Sequence, residues 1–341
     1  SIGIFLLTAF LIGLSSCGKK DERSSANETL WYKQPAGKWK EALPLGNGRM
    51  GAMVFGGIKE EKLQLNEESL WAGSKFQSAP DDFYKNLQIV QELVLEGEQV
   101  KADSLGRLLL TEKPTSFRSY QPLGNIYIKM AHSSSNIEDY RRELDLRDGL
   151  ARISYKIDGV KYSREYLLSS KDDVLAVHLT SSEPGAISGE IAMSRWKDAE
   201  ITTSGNNRLL MDGQIIDLED NEDNPGGSGP GGKHMKFAGR LMVRNDEGSL
   251  SAGDTSIVVD QADEATILFT AATDYNLHKM NFDRDIDPGA QAESIMARAR
   301  EKSWKAIKAA HIDEHRSHFD KVFLDLGQSK LSGLPTDQRL D

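Results

Sequence analysis

The sequence is poor in cysteine and carries fewer basic than acidic residues. Cys17 is the only cysteine, and a single thiol cannot form an internal disulfide. The chain has 42 Lys and Arg against 52 Asp and Glu, a formal net charge of -10. This balance argues against nucleic acid as a partner, because such binding needs clustered cations. A Gly-x-Ser-x-Gly segment is also absent, which excludes the nucleophile elbow of serine hydrolases.

The apolar run at the N-terminus is too short to span a bilayer. Residues 1–14 are typical of a signal-peptide h-region, and we expect the natural leader to begin upstream, since neither Met nor a basic segment precedes the run. The order Leu-Ser-Ser before Cys17 resembles a bacterial lipobox, whose cysteine is diacylated and anchors the protein in lipid. The alternative is an inert cysteine in a cleaved leader.

We therefore predict a leader over residues 1–17, lipidation at Cys17 and a flexible polar tether over 18–29. The basic-acidic stretch 18–22 resembles an export signal of bacterial surface lipoproteins. The expected location is the outer membrane or cell surface, with the periplasmic side as the alternative.

Strand patterns dominate the rest of the chain. Residues 151–157 alternate between apolar and polar side chains, and Asp158 and Gly159 supply the turn of a hairpin. Residues 174–179 are almost all apolar, as expected for a strand covered on both faces. Many short strands without a βαβ rhythm predict a mainly β fold, a large antiparallel β-sandwich (supersandwich).

Two helical patterns interrupt the strands. Apolar residues recur at helical spacing over 81–110, which predicts a helical insertion. Asp287 and Pro288 form a good N-cap and first position for a helix that continues towards residue 320, with a break expected near His311. We expect a short strand over 322–326, and we divide the chain into a sandwich over 30–285 and a helical linker over 286–341.

Three glycines fit a dinucleotide-binding pattern but lack its context. Gly46, Gly48 and Gly51 match GxGxxG. Pro44 is unsuited to a buried strand before the pattern, and residues 52–57 indicate a strand after it, so no helix N-terminus would hold a pyrophosphate. We predict a tight turn between two strands instead.

The sequence offers no persuasive metal site. His311, His315 and His318 have ligand spacing on a predicted helix, but a polar helix face with one packed histidine is the favoured interpretation. The acidic loop around 219–233 lacks the spacing of a calcium loop and is interpreted as solvated. We predict neither a metal nor a cofactor, and sequence alone singles out no catalytic carboxylate pair.

Several stretches together resemble the opening of glycoside hydrolase family 95, which contains α-L-fucosidases. The resemblance extends over about residues 30–341 in the family's order. Its most specific parts are 39–57 (WKEALPLGNGRMGAMVFGG) and 63–73 (LQLNEESLWAG), supported by 119–125, 140–146, 163–170, 323–327 and 334–340.

The resemblance implies an N-terminal β-sandwich joined by a helical linker to an (α/α)6 barrel that holds the catalytic carboxylates. It implies that this barrel, a partner in cis, follows Asp341, so that no catalytic residue lies in this chain and the chain alone is inactive. It further implies inverting hydrolysis of terminal α-1,2-linked L-fucose from oligosaccharides or glycans, with an acid and a base on opposite faces of the sugar.

Within this chain, we expect the Asn47/Arg49 loop and the segment from Asn66 to Trp71 to reach over the pocket of that barrel. We predict that Asn47, Arg49, Asn66, Glu67 and Trp71 contact substrate, because amides and carboxylates suit sugar hydroxyls and an indole suits the apolar face of a pyranose. The alternative is that these residues fix a turn and an inter-domain contact.

Three other functions remain open at this stage. An α-L-galactosidase of the same family would act on a sugar that differs at one hydroxymethyl group. A surface lipoprotein that binds carbohydrate without cleaving it would need no barrel. An inverting phosphorylase of the related clan would need a phosphate site in the barrel.

Overall fold

The computed structural model describes residues 28–73, 79–111, 118–132, 134, 136–217, 232–324, 327 and 329–339. The predicted leader with Cys17 and most of the predicted tether lie outside these ranges, as do residues 219–231 of the acidic loop. Within the described ranges, every helix is too short or too polar to cross a membrane.

The described residues form eighteen strands and four α-helices. In chain order they are β1 (Thr29–Tyr32), β2 (Leu43–Gly46), β3 (Met50–Val54), β4 (Glu60–Glu67), α1 (Phe83–Leu95), α2 (Gln99–Leu109), β5 (Gly124–Met130), β6 (Ile137–Asp145), β7 (Leu150–Ile157), β8 (Val160–Ser169), β9 (Val174–Ser181), β10 (Ile187–Ser194), β11 (Ala199–Ser204), β12 (Arg208–Asp217), β13 (Gly232–Asp246), β14 (Ser249–Ala252), β15 (Ser256–Ala262), β16 (Glu264–Thr273), β17 (Tyr275–Asn276), β18 (Asn281–Phe282), α3 (Pro288–Ala299) and α4 (Trp304–Phe319), with 3-10 turns at Trp39–Glu41 and Asp337–Arg339.

Two large antiparallel sheets make up the sandwich. The nine-stranded sheet has the order β1-β6-β7-β8-β9-β16-β13-β12-β11, and the seven-stranded sheet has the order β14-β15-β10-β5-β4-β3-β2. Strands β17 and β18 form a separate hairpin. One continuous apolar core with side chains from both large sheets lies between them. The predicted mainly β sandwich is confirmed.

The burial of individual strands follows their sequence patterns. Strand β7 alternates buried and half-buried positions, because one of its faces lines the core. The first six residues of β9 are all buried. Val174 and Ala176 pack on the outer face of the sheet against Met296 and Ile307 of the C-terminal helices. Each large apolar side chain buried this way contributes roughly 1.5–3 kcal/mol.

The C-terminal helical region differs from the sequence prediction in two details. Helix α3 does begin at Pro288, and Asp287 caps it by accepting from the Ala290 amide at 3.1 Å. The break comes at 300–303 and not near His311, because the Ser303 side chain caps a new helix through the Ala306 amide at 3.2 Å.

The predicted strand over 322–326 does not form in its described part. Residues 322–324 belong to no strand, and their apolar side chains are between half and more than four-fifths exposed. A strand needs a neighbouring strand and an apolar surface to cover it, and these side chains remain largely exposed.

The helical insertion between β4 and β5 is confirmed, and it stands apart from the core. Helix α1 buries none of its residues, and α2 buries only Ala102. Exposed apolar side chains include Tyr84, Leu95, Val100 and Leu108. The two helices pack mainly on each other.

One end of the sandwich collects the long connections. The β2–β3 turn, the end of β4, the start of β5 and the end of β10 lie side by side in the smaller sheet. In the larger sheet, the β8–β9 turn lies at the same end as the end of β16, since β9 and β16 pair antiparallel. We call this end the loop end and define it by residues 47–49, 66–73, 118–123, 170–173, 195–198, 216–217 and 274–287.

Candidate functional site

The five predicted substrate contacts all lie at the loop end. Asn47 and Arg49 belong to the turn between β2 and β3, which Gly48 closes with φ of 93°. Glu67 is the last residue of β4, and the chain continues into the loop that carries Trp71. The glycine-rich stretch is therefore a tight turn between strands, as predicted.

Both the oxygen and the nitrogen of the Asn47 side chain form hydrogen bonds within the chain. Its oxygen accepts from the amides of Arg49 and Met50 at 3.1 and 2.7 Å. Its amide nitrogen donates to the Ser169 carbonyl at 3.2 Å and to Asp173 Oδ1 at 3.0 Å. Asn47 thus closes its own turn and attaches the turn to the opposite sheet.

Arg49 joins the two sheets at the same place. Its guanidinium contacts both carboxylate oxygens of Asp173 at 2.9–3.1 Å and donates to the Ala271 carbonyl. A third group, Glu67 Oε1, lies 3.5 Å from Nη1. This planar, forked recognition of a carboxylate is characteristic of arginine.

Glu67 is buried beneath this cluster, with 3% of its surface exposed. Its Oε2 accepts from the amide and hydroxyl of Ser69 at 2.8 and 2.7 Å, and the Ser69 hydroxyl contacts the Thr273 hydroxyl at 2.6 Å. Burial raises the pKa of Glu67 above its ordinary value, and the hydrogen bonds from Ser69 and the charge of Arg49 oppose that rise.

Trp71 differs from these residues because its ring is partly open to solvent, at 43% exposed. The ring meets Tyr120 edge-on with centroids 5.3 Å apart, and its Nε1 donates to the Glu68 carbonyl at 3.2 Å. A backbone bridge also joins Trp71 and Tyr120. The indole is therefore fixed in position while part of it faces outward.

Asn66 is half-buried beside the turn, where its backbone pairs with Gly51. Among the described residues, its side chain makes no hydrogen bond. Its amide therefore has donors and an acceptor to offer to a ligand or to water.

Two adjoining clefts open at the loop end. The Trp71 cleft has a volume of about 350 Å³, and the Arg49 cleft has about 410 Å³; both volumes suit small-molecule ligands. They share Glu68, Ser69, Tyr275 and Leu277. The Trp71 cleft is further lined by Trp71, Gly73, Arg118, Met235, Met280 and Asn281, and the Arg49 cleft by Arg49, Glu67, Asp173, Ala272, Thr273, Gln291, Ser294, Ile295 and Arg298.

Several of these residues escaped the sequence analysis. Asp173 pairs with Arg49 and Thr273 lines the same cleft as Arg49, although both lie more than a hundred residues from Arg49 in the sequence. Tyr275 and Asn281 belong to a hairpin whose strands are two residues long, too short for a periodic pattern. The one available signal was the pair of aspartates at 172–173, a composition typical of a turn.

Two of the three histidines of α4 contact backbone carbonyls, and the third forms a pair on the surface of the helix. Nε2 of His311 contacts the Gly149 carbonyl at 3.2 Å, and Nε2 of His315 contacts the Leu146 carbonyl at 2.9 Å. His318 pairs with Glu314 at 3.2 Å. Among the residues that the structure describes, no three metal-ligating side chains converge on one point.

Comparison with known proteins places this architecture among the glycoside hydrolases. Residues 30–278 match a family model described as glycosyl hydrolase family 65, N-terminal domain. The chain is 28% identical to "Alpha-L-fucosidase 2" of Arabidopsis thaliana over 88% of this chain and 37% of that protein. It is 27% identical to "Probable alpha-fucosidase A" of Aspergillus niger over 89% of this chain and 38% of that protein.

A third relative, "Probable alpha-fucosidase A" of Aspergillus oryzae, is 25% identical over 93% of this chain and 43% of that protein. The chain thus spans less than half the length of these relatives. The predicted resemblance to α-L-fucosidases is confirmed, although the matching family model carries the number 65 and not 95.

Proposed function

The chain belongs to the family described as glycosyl hydrolase family 65, N-terminal domain, and on this basis we propose that it is the N-terminal part of an exo-acting α-L-fucosidase. The observation that carries the proposal is that three relatives named as α-fucosidases align with 88–93% of this chain. The proposed reaction is inverting hydrolysis of terminal α-1,2-linked L-fucose, with the catalytic carboxylates in an (α/α)6 barrel elsewhere in the longer protein.

The proposed role of the sandwich is to support that barrel from its loop end. Five large apolar side chains are exposed there, at 43–73% of their surface, and several such side chains at one end are typical of a surface that another domain or a ligand covers. They are Trp71, Trp196, Ile216, Leu277 and Met280.

The geometry separates the predicted contacts into two groups. One group makes its hydrogen bonds to other residues of this chain, which favours a role in shaping the loop end: Asn47, Arg49 and Glu67. Trp71 has an outward face, and Asn66 has an amide without a hydrogen bond among the described residues. We propose that these two approach the sugar, Trp71 from its cleft and Asn66 from outside both clefts.

The activity is tested with the protein extended downstream of Asp341. We expect it to release L-fucose from a 2'-fucosylated oligosaccharide, with the β-anomer appearing first in a proton NMR time course, as inversion requires. Release of L-galactose in its place would favour the α-L-galactosidase, and a requirement for phosphate would favour the phosphorylase. Tight sugar binding without release of any monosaccharide would establish the carbohydrate-binding lipoprotein.

We also propose that Cys17 carries the lipid that anchors the protein in the outer membrane. The support is the lipobox-like order of residues before Cys17. Labelling with a fatty acid should modify the parent protein and not a Cys17→Ala variant, and the variant should leave the membrane fraction. Equal fractionation of the two proteins would rule out the anchor, and surface proteolysis of intact cells distinguishes outward from periplasmic display.

A further inference from the structure

The Trp71 cleft has the composition of a carbohydrate site. One side is the outward part of the Trp71 indole, and Leu277 and Met280 of the β17–β18 hairpin also line it, at 73% and 49% exposed. Polar groups come from Glu68 and Asn281. An apolar cleft with a few converging polar groups is the usual form of a small-molecule site.

The aromatic ring in this cleft is held before any ligand arrives. Tyr120 packs edge-on against the indole and donates its hydroxyl to the Glu67 carbonyl at 2.9 Å. The indole N–H is itself bonded to the Glu68 carbonyl. Binding to a ring that is already fixed loses little side-chain entropy, so the contact retains more of its energy.

The charges of the cleft favour a neutral ligand. Its cation, the Arg118 guanidinium, is almost wholly buried and paired with Asp217 at 2.8 Å. The carboxylate of Glu68 is exposed at the opening, and a carboxylate accepts hydrogen bonds from sugar hydroxyls. A saccharide combines such hydroxyls with an apolar C–H face that suits an indole.

We propose that the Trp71 cleft binds the saccharide to which the fucosyl residue is attached, that is, the leaving-group part of the substrate. This inference rests on the proposed fucosidase activity. The fucosyl residue itself would enter the catalytic barrel, while Trp71 stacks on a neighbouring ring of the glycan and Glu68 and Asn281 bond to that ring's hydroxyls. The sandwich then contributes to substrate specificity as well as to support.

The test compares two substrates of the extended protein, a 2'-fucosylated oligosaccharide and an aryl α-L-fucoside that has no sugar leaving group. Trp71→Ala should lower kcat/KM for the oligosaccharide roughly tenfold, through KM, and leave the aryl fucoside within about twofold. Trp71→Phe, which keeps an aromatic face, should recover most of the loss. Trp39→Ala is the matched control, because Trp39 is exposed at 56% and lines neither cleft.

The outcomes separate the two proposals. A parent protein that releases fucose from neither substrate refutes the proposed activity itself. If Trp71→Ala lowers kcat/KM equally on both substrates, Trp71 supports domain packing. If kcat/KM changes on neither substrate, Trp71 does not contact the substrate. Either result overturns the cleft assignment. A fluorescence titration with the unfucosylated oligosaccharide should show binding to the parent and to Trp39→Ala but not to Trp71→Ala.

Discussion

Replacing Arg49 with Met removes the guanidinium that joins the two sheets at the loop end while keeping an unbranched apolar stem. The change leaves Asp173 without its bidentate partner, the Ala271 carbonyl without the donor that Arg49 supplies, and Glu67 without its nearby cation. Hydrogen bonds to charged groups contribute roughly 1.5–3 kcal/mol each. Arg49 and Asp173 are 26% and 29% exposed, so solvent screening reduces that figure, and we expect a total loss of about 2–3 kcal/mol in the free energy of unfolding.

The loss can be measured by urea unfolding followed through tryptophan fluorescence. Asn66→Ala is the control, since the Asn66 side chain makes no hydrogen bond among the described residues and lies beside the same turn; its stability should stay within about 0.5 kcal/mol of the parent. An Arg49→Met protein as stable as the parent would refute the structural role. Full stability combined with lost fucose turnover would assign Arg49 to the substrate.

Three further predictions concern stability. Glu67→Gln should flatten the pH dependence of the free energy of unfolding. Burial raises the folded pKa of Glu67 above the ordinary 4.5, so the stability that Glu67 contributes is fully present below about pH 4.5 and is lost as pH rises through the folded pKa. Equal changes in stability for parent and variant between pH 4 and 7 would contradict this. Ser303→Ala should cost about 1 kcal/mol by removing the α4 cap, measured as a lower urea midpoint, with Ser303→Asp as the variant that should retain stability. Gly149→Ala should cost roughly 1–3 kcal/mol, because Gly149 has φ of 63° and a Cβ there would lie 3.0 Å from ring nitrogens of His311 and His315; an unchanged melting temperature would count against that geometry.

The sequence was informative where side-chain periodicity and local turn chemistry decide the structure. Alternation predicted β7, the continuous apolar run predicted that β9 is covered on both faces, and Asp287 correctly marked the start of α3. These features depend on residues close together in the chain. The break before Ser303 was misplaced because one capping serine outweighs a continuing apolar period.

The candidate site could be predicted only in part. The two loops that carry Asn47 and Trp71 were visible as specific stretches of sequence, but their partners were not. Asp173 lies 124 residues from Arg49, and the β17–β18 hairpin has too few residues to show a pattern. Such long-range pairings decide which polar side chains form hydrogen bonds within the chain and which can still bind a ligand. Only the folded chain reveals them.

The bridge between Trp71 and Tyr120 has a consequence for how this chain can change. The helical hairpin leaves the sandwich after Trp71 and returns before Tyr120, two positions that face each other across one backbone bridge. The helices between them, over residues 79–111, bury only Ala102 and can be lengthened, trimmed or exchanged without shifting the register of either sheet. The indole of the Trp71 cleft lies at the bridge and not in these helices, so it stays in place while the hairpin varies.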